Sequence, residues 1–276
     1  MKTQSESEGL TPREFQKRIY RFYRDHRRDL PWRDTSDPYR ILVSEMMLQQ
    51  TQVARVQERY TGFVTRFPDF ASLHTAPVEE ILRAWHGLGY NRRALALKKT
   101  ASRVMDEWNG ILPDDEKSLC SLPGIGKATA AAVQAFAFNK PSVLIETNIR
   151  RVFIHCYFQD RASVPDREVL PLVEETLDRR NPRDWYYALM DYGSYLGKTR
   201  ENPNRRSSQY KKQSPFEGSV RQVRGRVLSY LIRYGDTLTS DLARGLDLPP
   251  DRIDPVLASL VAEGFVVMEG DIVKIT

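Results

Sequence analysis

Cysteine is almost missing from this 276-residue chain, which has only Cys120 and Cys156. Two thiols cannot form a disulfide framework, and they fall short of the roughly four thiolates that an iron–sulfur cluster takes. No metal or other cofactor is therefore expected. Long apolar runs are missing too, since nothing approaches the ~18 consecutive apolar residues of a membrane span. The opening MKTQSESEGLTPREF has no apolar core of the kind a secretory leader needs, so a cytoplasmic location is expected. What is left is the composition of a folded globular protein, 41% apolar and 28% charged. That is too apolar for a disordered chain, and the length suits one large or two modest domains.

Neither sign of charge dominates, with 42 Lys and Arg against 36 Asp and Glu for a net +6, but the distribution is uneven. Residues 213–276 carry seven basic and nine acidic side chains, which leaves +8 on the first 212 residues. The basic surface belongs to that first part, and a polyanion is its natural partner. Apolar residues recur at helical spacing in Phe15 to Tyr23, Ile41 to Tyr60, Val78 to Trp85, Arg92 to Trp108, Ala128 to Phe138, Asn148 to Tyr157 and Trp185 to Leu196, so this part reads as all-α. From Lys198 to Lys212, KTRENPNRRSSQYKK has six basic residues and one acid and reads as a solvated basic loop. Beyond it, helices over Val220 to Tyr234, Thr239 to Leu246 and Pro250 to Gly264 precede two short strands flanking Gly270-Asp271. Three helices and a hairpin suggest a small winged-helix domain at 213–276, after a larger domain at 1–212. Its acidity leaves contact with DNA and contact with a protein partner equally open.

Three segments carry chemistry. Leu122-Pro123-Gly124-Ile125-Gly126-Lys127 lies between two helical runs and has the form of a helix–hairpin–helix turn. Its spaced glycines let the backbone approach a phosphate, and the amides of the following helix start point at an anion. An αα-corner that uses glycine for packing is the alternative. Glu45 lies in Ile41-Leu42-Val43-Ser44-Glu45-Met46-Met47-Leu48, on or beside an apolar helix face, where desolvation favours the protonated acid. Glu146 follows Val143-Leu144-Ile145 and precedes a helix that Thr147 or Asn148 would cap, so the helix dipole should keep it ionised. The two environments are expected to push the two carboxyls in opposite directions, as paired acids with divided roles require.

In chain order, LPWR (30–33), PYRILVSEMMLQQTQV (38–53), GLGY (87–90), LPGIGKATAAAV (122–133), ETNIRRV (146–152) and ALMDYGS (188–194) resemble the helix–hairpin–helix DNA glycosylases. Within that family the MutY-type adenine glycosylases are most similar, over about residues 12–197. The resemblance implies a two-lobed helical fold with a DNA groove and a base pocket. It implies that Glu45 is the acid that protonates the departing purine, and that Glu146 stands where the family has an Asp stabilising the sugar cation. Gln50 matches the side chain wedged into the duplex, and Leu88 and Tyr90 match residues that probe the opposite base. Leu122, Gly124, Gly126 and Lys127 match the phosphate-binding hairpin, and Trp32, Arg33, Asn148 and Tyr187 match the base pocket. Tyr187 replaces a Glu or Gln of the family, and Asn91 replaces a second Tyr. Ala128 falls where lyase-type relatives have a Schiff-base Lys, and Lys127 would point ~100° away on a helix, which favours a monofunctional hydrolase.

The family's four cluster cysteines fall on Gly197, Asn204, Ser207 and Gln213. The basic loop is expected to keep its phosphate-binding role without a cluster, through Lys198, Arg200, Arg205, Arg206, Lys211 and Lys212. The family's carboxy-terminal module that reads 8-oxoguanine is not matched. The expectation is a monomeric, nucleoid-associated, metal-free DNA N-glycosylase of base excision repair acting on double-stranded DNA with a mismatch or lesion, adenine opposite 8-oxoguanine or guanine first. A thymine, uracil or other lesion glycosylase, and a catalytically inactive lesion-binding protein, are the alternatives.

Overall fold

The computed structural model describes residues 10–210 and 215–276. In chain order the helices are α1 (Pro12–His26), α2 (Pro38–Leu48), α3 (Val53–Arg66), α4 (Phe70–Thr75), α5 (Val78–Trp85), α6 (Arg92–Trp108), α7 (Glu116–Ser121) and α8 (Lys127–Phe136). They continue with α9 (Thr147–Tyr157), α10 (Asp166–Glu175), α11 (Pro182–Thr199), α12 (Val220–Tyr234), α13 (Thr239–Leu246) and α14 (Pro250–Ala262). Three short strands, β1 (Thr237–Leu238), β2 (Val266–Glu269) and β3 (Ile272–Ile275), form one antiparallel sheet in the order β1-β3-β2. No helix among the described residues is long and apolar enough to cross a membrane.

These elements cluster into two compact units, each assembled from separate stretches of chain. One holds described residues 10–45, 113–121 and 125–210, the other 46–112, 122–124 and 215–276. In the first unit, α1 starts with a capping box in which Thr11 and Glu14 satisfy each other's backbone amides, and Pro12 sits where a helix needs no N–H. Its apolar stripe buries Phe15, whose ring meets Phe153, Tyr157 and Trp185 at 5.2–5.8 Å in tilted and edge-on geometry. Helix α11 packs against α9 where Gly193 faces the Asn148 backbone, and a Cβ there would run into the Asn148 carbonyl. That glycine is required by close approach and not by φ.

In the second unit, Phe63 makes edge-on contacts with Phe67 and Trp85 at 5.1 and 5.7 Å. The helices and sheet of 215–276 fasten to the start of α6 through Glu263, which receives paired hydrogen bonds from Arg92 (2.6 and 2.7 Å) and Arg224 (2.9 and 2.7 Å). The hydrogen bonds from Arg92, with those from Arg224 and Ser259, overcome the effect of burial and draw the Glu263 carboxyl down to about 2.

Three expectations change. The run Ile41 to Tyr60 is two helices, because the last carbonyls of α2 bond a buried guanidinium and the chain turns at Gln50 before α3. Helix α4, which Asp69 caps, helix α10 with Pro171 inside it, and the two-residue strand β1 were not read from periodicity. The basic loop is not simply solvated. It forms a 3₁₀ turn at Pro203–Arg206, buries Asn204 and Ser207, and pairs Ser207 with Val164. Polar side chains can be buried there because they satisfy backbone groups, as when the Asn204 amide donates to the Thr147 carbonyl at 2.8 Å. Lys211 and Lys212 lie outside the described residues.

Gly193→Ala is expected to cost about 1–3 kcal/mol by overpacking the α9–α11 crossing, measured as a lowered urea midpoint with an unchanged slope.

Candidate active site

Glu45 stands on α2 directly after Ile41, Leu42, Val43 and Ser44, which are all buried to 1% exposure or less. Its own side chain is half-buried. Burial, and then the neighbouring charge of Glu146, push its carboxyl up to about 8. Tyr186 pins the approach to Glu146: its hydroxyl donates to the Ser142 carbonyl (2.7 Å) and accepts from the Leu144 amide (3.0 Å).

Glu146 is itself the N-cap of α9, a role expected of Thr147 or Asn148. Its Oε1 accepts from the amides of Asn148 (2.7 Å) and Ile149 (2.8 Å), and its Oε2 from the Asn148 side chain (3.3 Å). Burial raises the Glu146 carboxyl above the ordinary carboxylate range, opposed by those two amides and by Arg151 and Arg150. The expected opposite displacement of the two carboxyls is therefore not found. Both are raised, because desolvation outweighs the helix terminus. They differ in what surrounds them, since Glu146 has donors built around it. Arg151 steadies these donors: its Nη1 donates to Asn148 Oδ1 (2.8 Å) and to the Gly193 carbonyl (2.7 Å), and its Nε to Asn202 (3.1 Å).

Helix α11 presents Tyr187, which feels the charge of Glu45, and one turn further on Asp191. The Tyr187 ring stacks on Phe136 at 4.4 Å and lies 4.5 Å from the Arg33 guanidinium carbon. Arg33 in turn grips Asp191 with two bonds of 2.8 and 2.7 Å, and Arg28 adds Nε at 2.5 Å and its backbone amide at 3.0 Å. Burial would raise the Asp191 carboxyl, but the Arg33 hydrogen bonds and charge, with those of Arg28, hold it below the usual range. Among the described residues, the Tyr187 hydroxyl and Arg33 Nε are buried without a hydrogen-bond partner, and burial and then the charge of Glu45 raise the Tyr187 hydroxyl.

The first unit holds Trp32, Arg33, Glu45, Glu146, Asn148, Tyr187, Gly126, Lys127, Arg205 and Arg206; within it Arg33 meets Tyr187, Glu146 meets Asn148, and Glu45 feels Glu146, while Trp32 is buried. Gly126 and Lys127 are exposed, and no side chain caps the start of α8, which leaves its first amides open to an anion. Arg205 is exposed and pairs with Glu201 at 3.1 Å. Arg206 does not fit the phosphate role, because its guanidinium is spent on the carbonyls of Ile154, Phe158, Gln159 and Arg161 at the end of α9. The second unit holds Gln50, Leu88, Tyr90, Leu122 and Gly124. Gln50 is exposed and Tyr90 half-buried, both at positive φ (+56° and +47°), at roughly 1–2 kcal/mol each. Leu88 and Leu122 are each 2% exposed, so any contact they make with DNA is through backbone. Gly124 combines φ +76° with a Cβ position only 2.9 Å from both Ala96 and Met46.

Residues 43–175 match the family described as HhH-GPD superfamily base excision DNA repair protein. An adenine DNA glycosylase of Mycolicibacterium smegmatis is 34% identical over 271 residues, which cover 90% of this chain and 91% of that protein. The chain belongs to the HhH-GPD superfamily of base excision DNA repair proteins. It is a DNA-binding DNA glycosylase. An adenine DNA glycosylase of Buchnera aphidicola is 37% identical over 174 residues, covering 62% of this chain, which spans about half (49%) of that relative's length. Among solved structures, a thermostable thymine-DNA glycosylase matches with a TM-score of 0.61 and 29% identity over 70% of this chain and 90% of that one.

The cluster found in HhH-GPD relatives by resemblance does not fit these residues. Gly197, Asn204 and Ser207 supply no thiolate, Gln213 lies outside the described residues, and no group of three or more His, Cys, Asp or Glu among the described residues could hold a metal. Three residues of this HhH-GPD site escaped the sequence reading: Asp191, Gly193 and Arg151. For Asp191 a signal existed. It is a lone carboxylate in the apolar stretch ALMDYGS, the same sign that singled out Glu45.

Unfolded, Glu45 titrates near its ordinary 4.5, and folded near 8. The folded protein holds a proton that the unfolded chain releases, so the contribution of this group to stability falls as pH rises from about 4.5 to about 8 and is level above. Glu45→Gln removes the effect. Its stability advantage over wild type in urea unfolding is expected to be small near pH 5 and to grow by roughly 1–3 kcal/mol by about pH 9.

Proposed function

We propose that this glycosylase is monofunctional and metal-independent, and that it hydrolyses the N-glycosidic bond of adenine mispaired with 8-oxoguanine or guanine. The observation that carries the reading is the unequal surroundings of two neighbouring half-buried carboxyls. When the pair holds one proton, Glu45, with no donor aimed at it among the described residues, keeps the proton. Glu146, with two amides, Asn148 and Arg151 around it, is the anion.

That division suits the reaction. As the C1′–N bond breaks, its electron pair leaves with the base and positive charge builds on the sugar. Glu45 gives its proton to the departing base. The Glu146 carboxylate faces the sugar cation, and a water adds its oxygen to C1′ while its proton passes to Glu146. The base has to leave the stack to reach both groups. The adenine assignment draws on the resemblance of the PYRILVSEMMLQQTQV segment and on relatives that carry the name adenine DNA glycosylase. The absence of a lysine at position 128, where Ala128 stands, supports hydrolysis over a lyase step. A second reading, thymine or uracil opposite guanine, is favoured by one observation, the likeness to a solved thymine-DNA glycosylase structure at 29% identity.

The test is single-turnover cleavage of a panel of mispaired duplexes followed by alkali. Adenine opposite 8-oxoguanine or guanine is expected to yield strand breaks, and Glu45→Gln and Glu146→Gln to lose about 10²–10⁴-fold in rate while duplex affinity stays within a few-fold. Breaks only at thymine or uracil would transfer the assignment to the second reading. No breaks on any duplex, or unchanged rates in both variants, would remove it.

A further inference from the structure

Among the described residues, five other than glycine have positive φ: Gln50, Tyr90, Asn109, Asn139 and Asp247. Asn and Asp tolerate that conformation readily. Gln and Tyr do not, so the strain at Gln50 and Tyr90 has to be held by their surroundings. Both turns are held by the same side chain. Arg93, at the start of α6, is 7% exposed. Its Nη1 donates to the carbonyls of Met46 (2.9 Å), Met47 (2.8 Å) and Gln49, on the Gln50 side. Its Nη2 donates to Leu88 (3.3 Å) and Gly89 (2.9 Å), on the Tyr90 side, and to Thr51 Oγ1 (2.9 Å). Thr51 then donates to the Leu88 carbonyl at 3.2 Å, closing the bridge between the turns. No carboxylate pairs with Arg93 among the described residues, and its charge faces the carbonyl end of α2 and the Trp85 and Tyr90 rings. A buried, fully branched guanidinium without a counter-ion is an expensive way to pack a core, and its geometry is that of a clamp.

We infer that Arg93 is a positioning residue that locks Gln50 and the Gly87–Tyr90 turn into one preset element, so that the two enter the duplex together, and that it acts on opening of the duplex and not on bond cleavage. This rests on the reading of Gln50 as the residue that fills the gap.

The experiment uses the full chain carrying Glu45→Gln, so that no chemistry is needed, and a duplex with 2-aminopurine at the target position. The rate of the fluorescence rise on mixing reports unstacking. Arg93→Lys keeps the charge and loses the fork, and is expected to slow the rise about tenfold or more. With Glu45 restored, excision from a duplex whose target base is already bulged out is expected to change less than about threefold. Thr51→Val breaks the same bridge without touching the buried charge and is expected to act in the same direction, which keeps the test open if Arg93→Lys does not fold. In a Gln50→Gly background, Arg93→Lys is expected to add little, since coupled residues are non-additive. Equal loss on paired and bulged targets, additive effects, or no slowing by either Arg93→Lys or Thr51→Val would overturn the clamp. If Gln50→Gly alone leaves the fluorescence rise unchanged, it is the gap-filling reading that fails, and the clamp falls with it.

Discussion

The cost of holding two carboxyls close together inside protein governs the arrangement of the first unit. Desolvation raises both Glu45 and Glu146, and the charge of one opposes ionisation of the other. Such a pair persists only if the surroundings break the tie. Here the donors are all on one side. The start of α9 supplies two amides, and Asn148 and Arg151 complete the shell, whereas Glu45 is approached by an apolar helix face and by Tyr187.

That asymmetry depends in turn on packing between helices that come from distant parts of the chain. Gly193 allows α11 to approach the start of α9 closely enough for Arg151 to reach its carbonyl. Two residues earlier, Asp191 anchors Arg28 and Arg33, which brings the LPWR turn against Tyr187. A buried carboxylate shared by two guanidiniums is costly to leave with one partner, so the short motif ALMDYGS fixes both the acid's neighbours and the anion's helix.

Much of this was legible in the sequence, and the unread part has physical reasons. Helical periodicity located most helices, and the turn at Gly270-Asp271 located the hairpin, because local pattern and local structure agree there. The break at Gln50 was not legible, since Arg93 lies more than forty residues away and nothing in the 3.6-residue pattern records a guanidinium drawing off carbonyls. The chemistry of Glu45 followed from one charge in an apolar run. The direction for Glu146 did not, because a chain read locally shows the helix start but not the mass of protein that later surrounds it. Arg206 shows the same limit in a basic loop: charge counted along the chain reads as available for phosphate until the fold supplies carbonyls.

Helix α9 has eleven residues, about 16 Å of rod. Its amino end is gripped by a carboxylate and its carboxyl end by the Arg206 guanidinium, each of the sign that the peptide dipoles demand. Axial sliding in either direction would therefore break fastenings at both ends at once. The rod works as a fixed strut, and the Glu146 oxygens keep their height relative to the rest of the first unit even when side chains around them exchange rotamers.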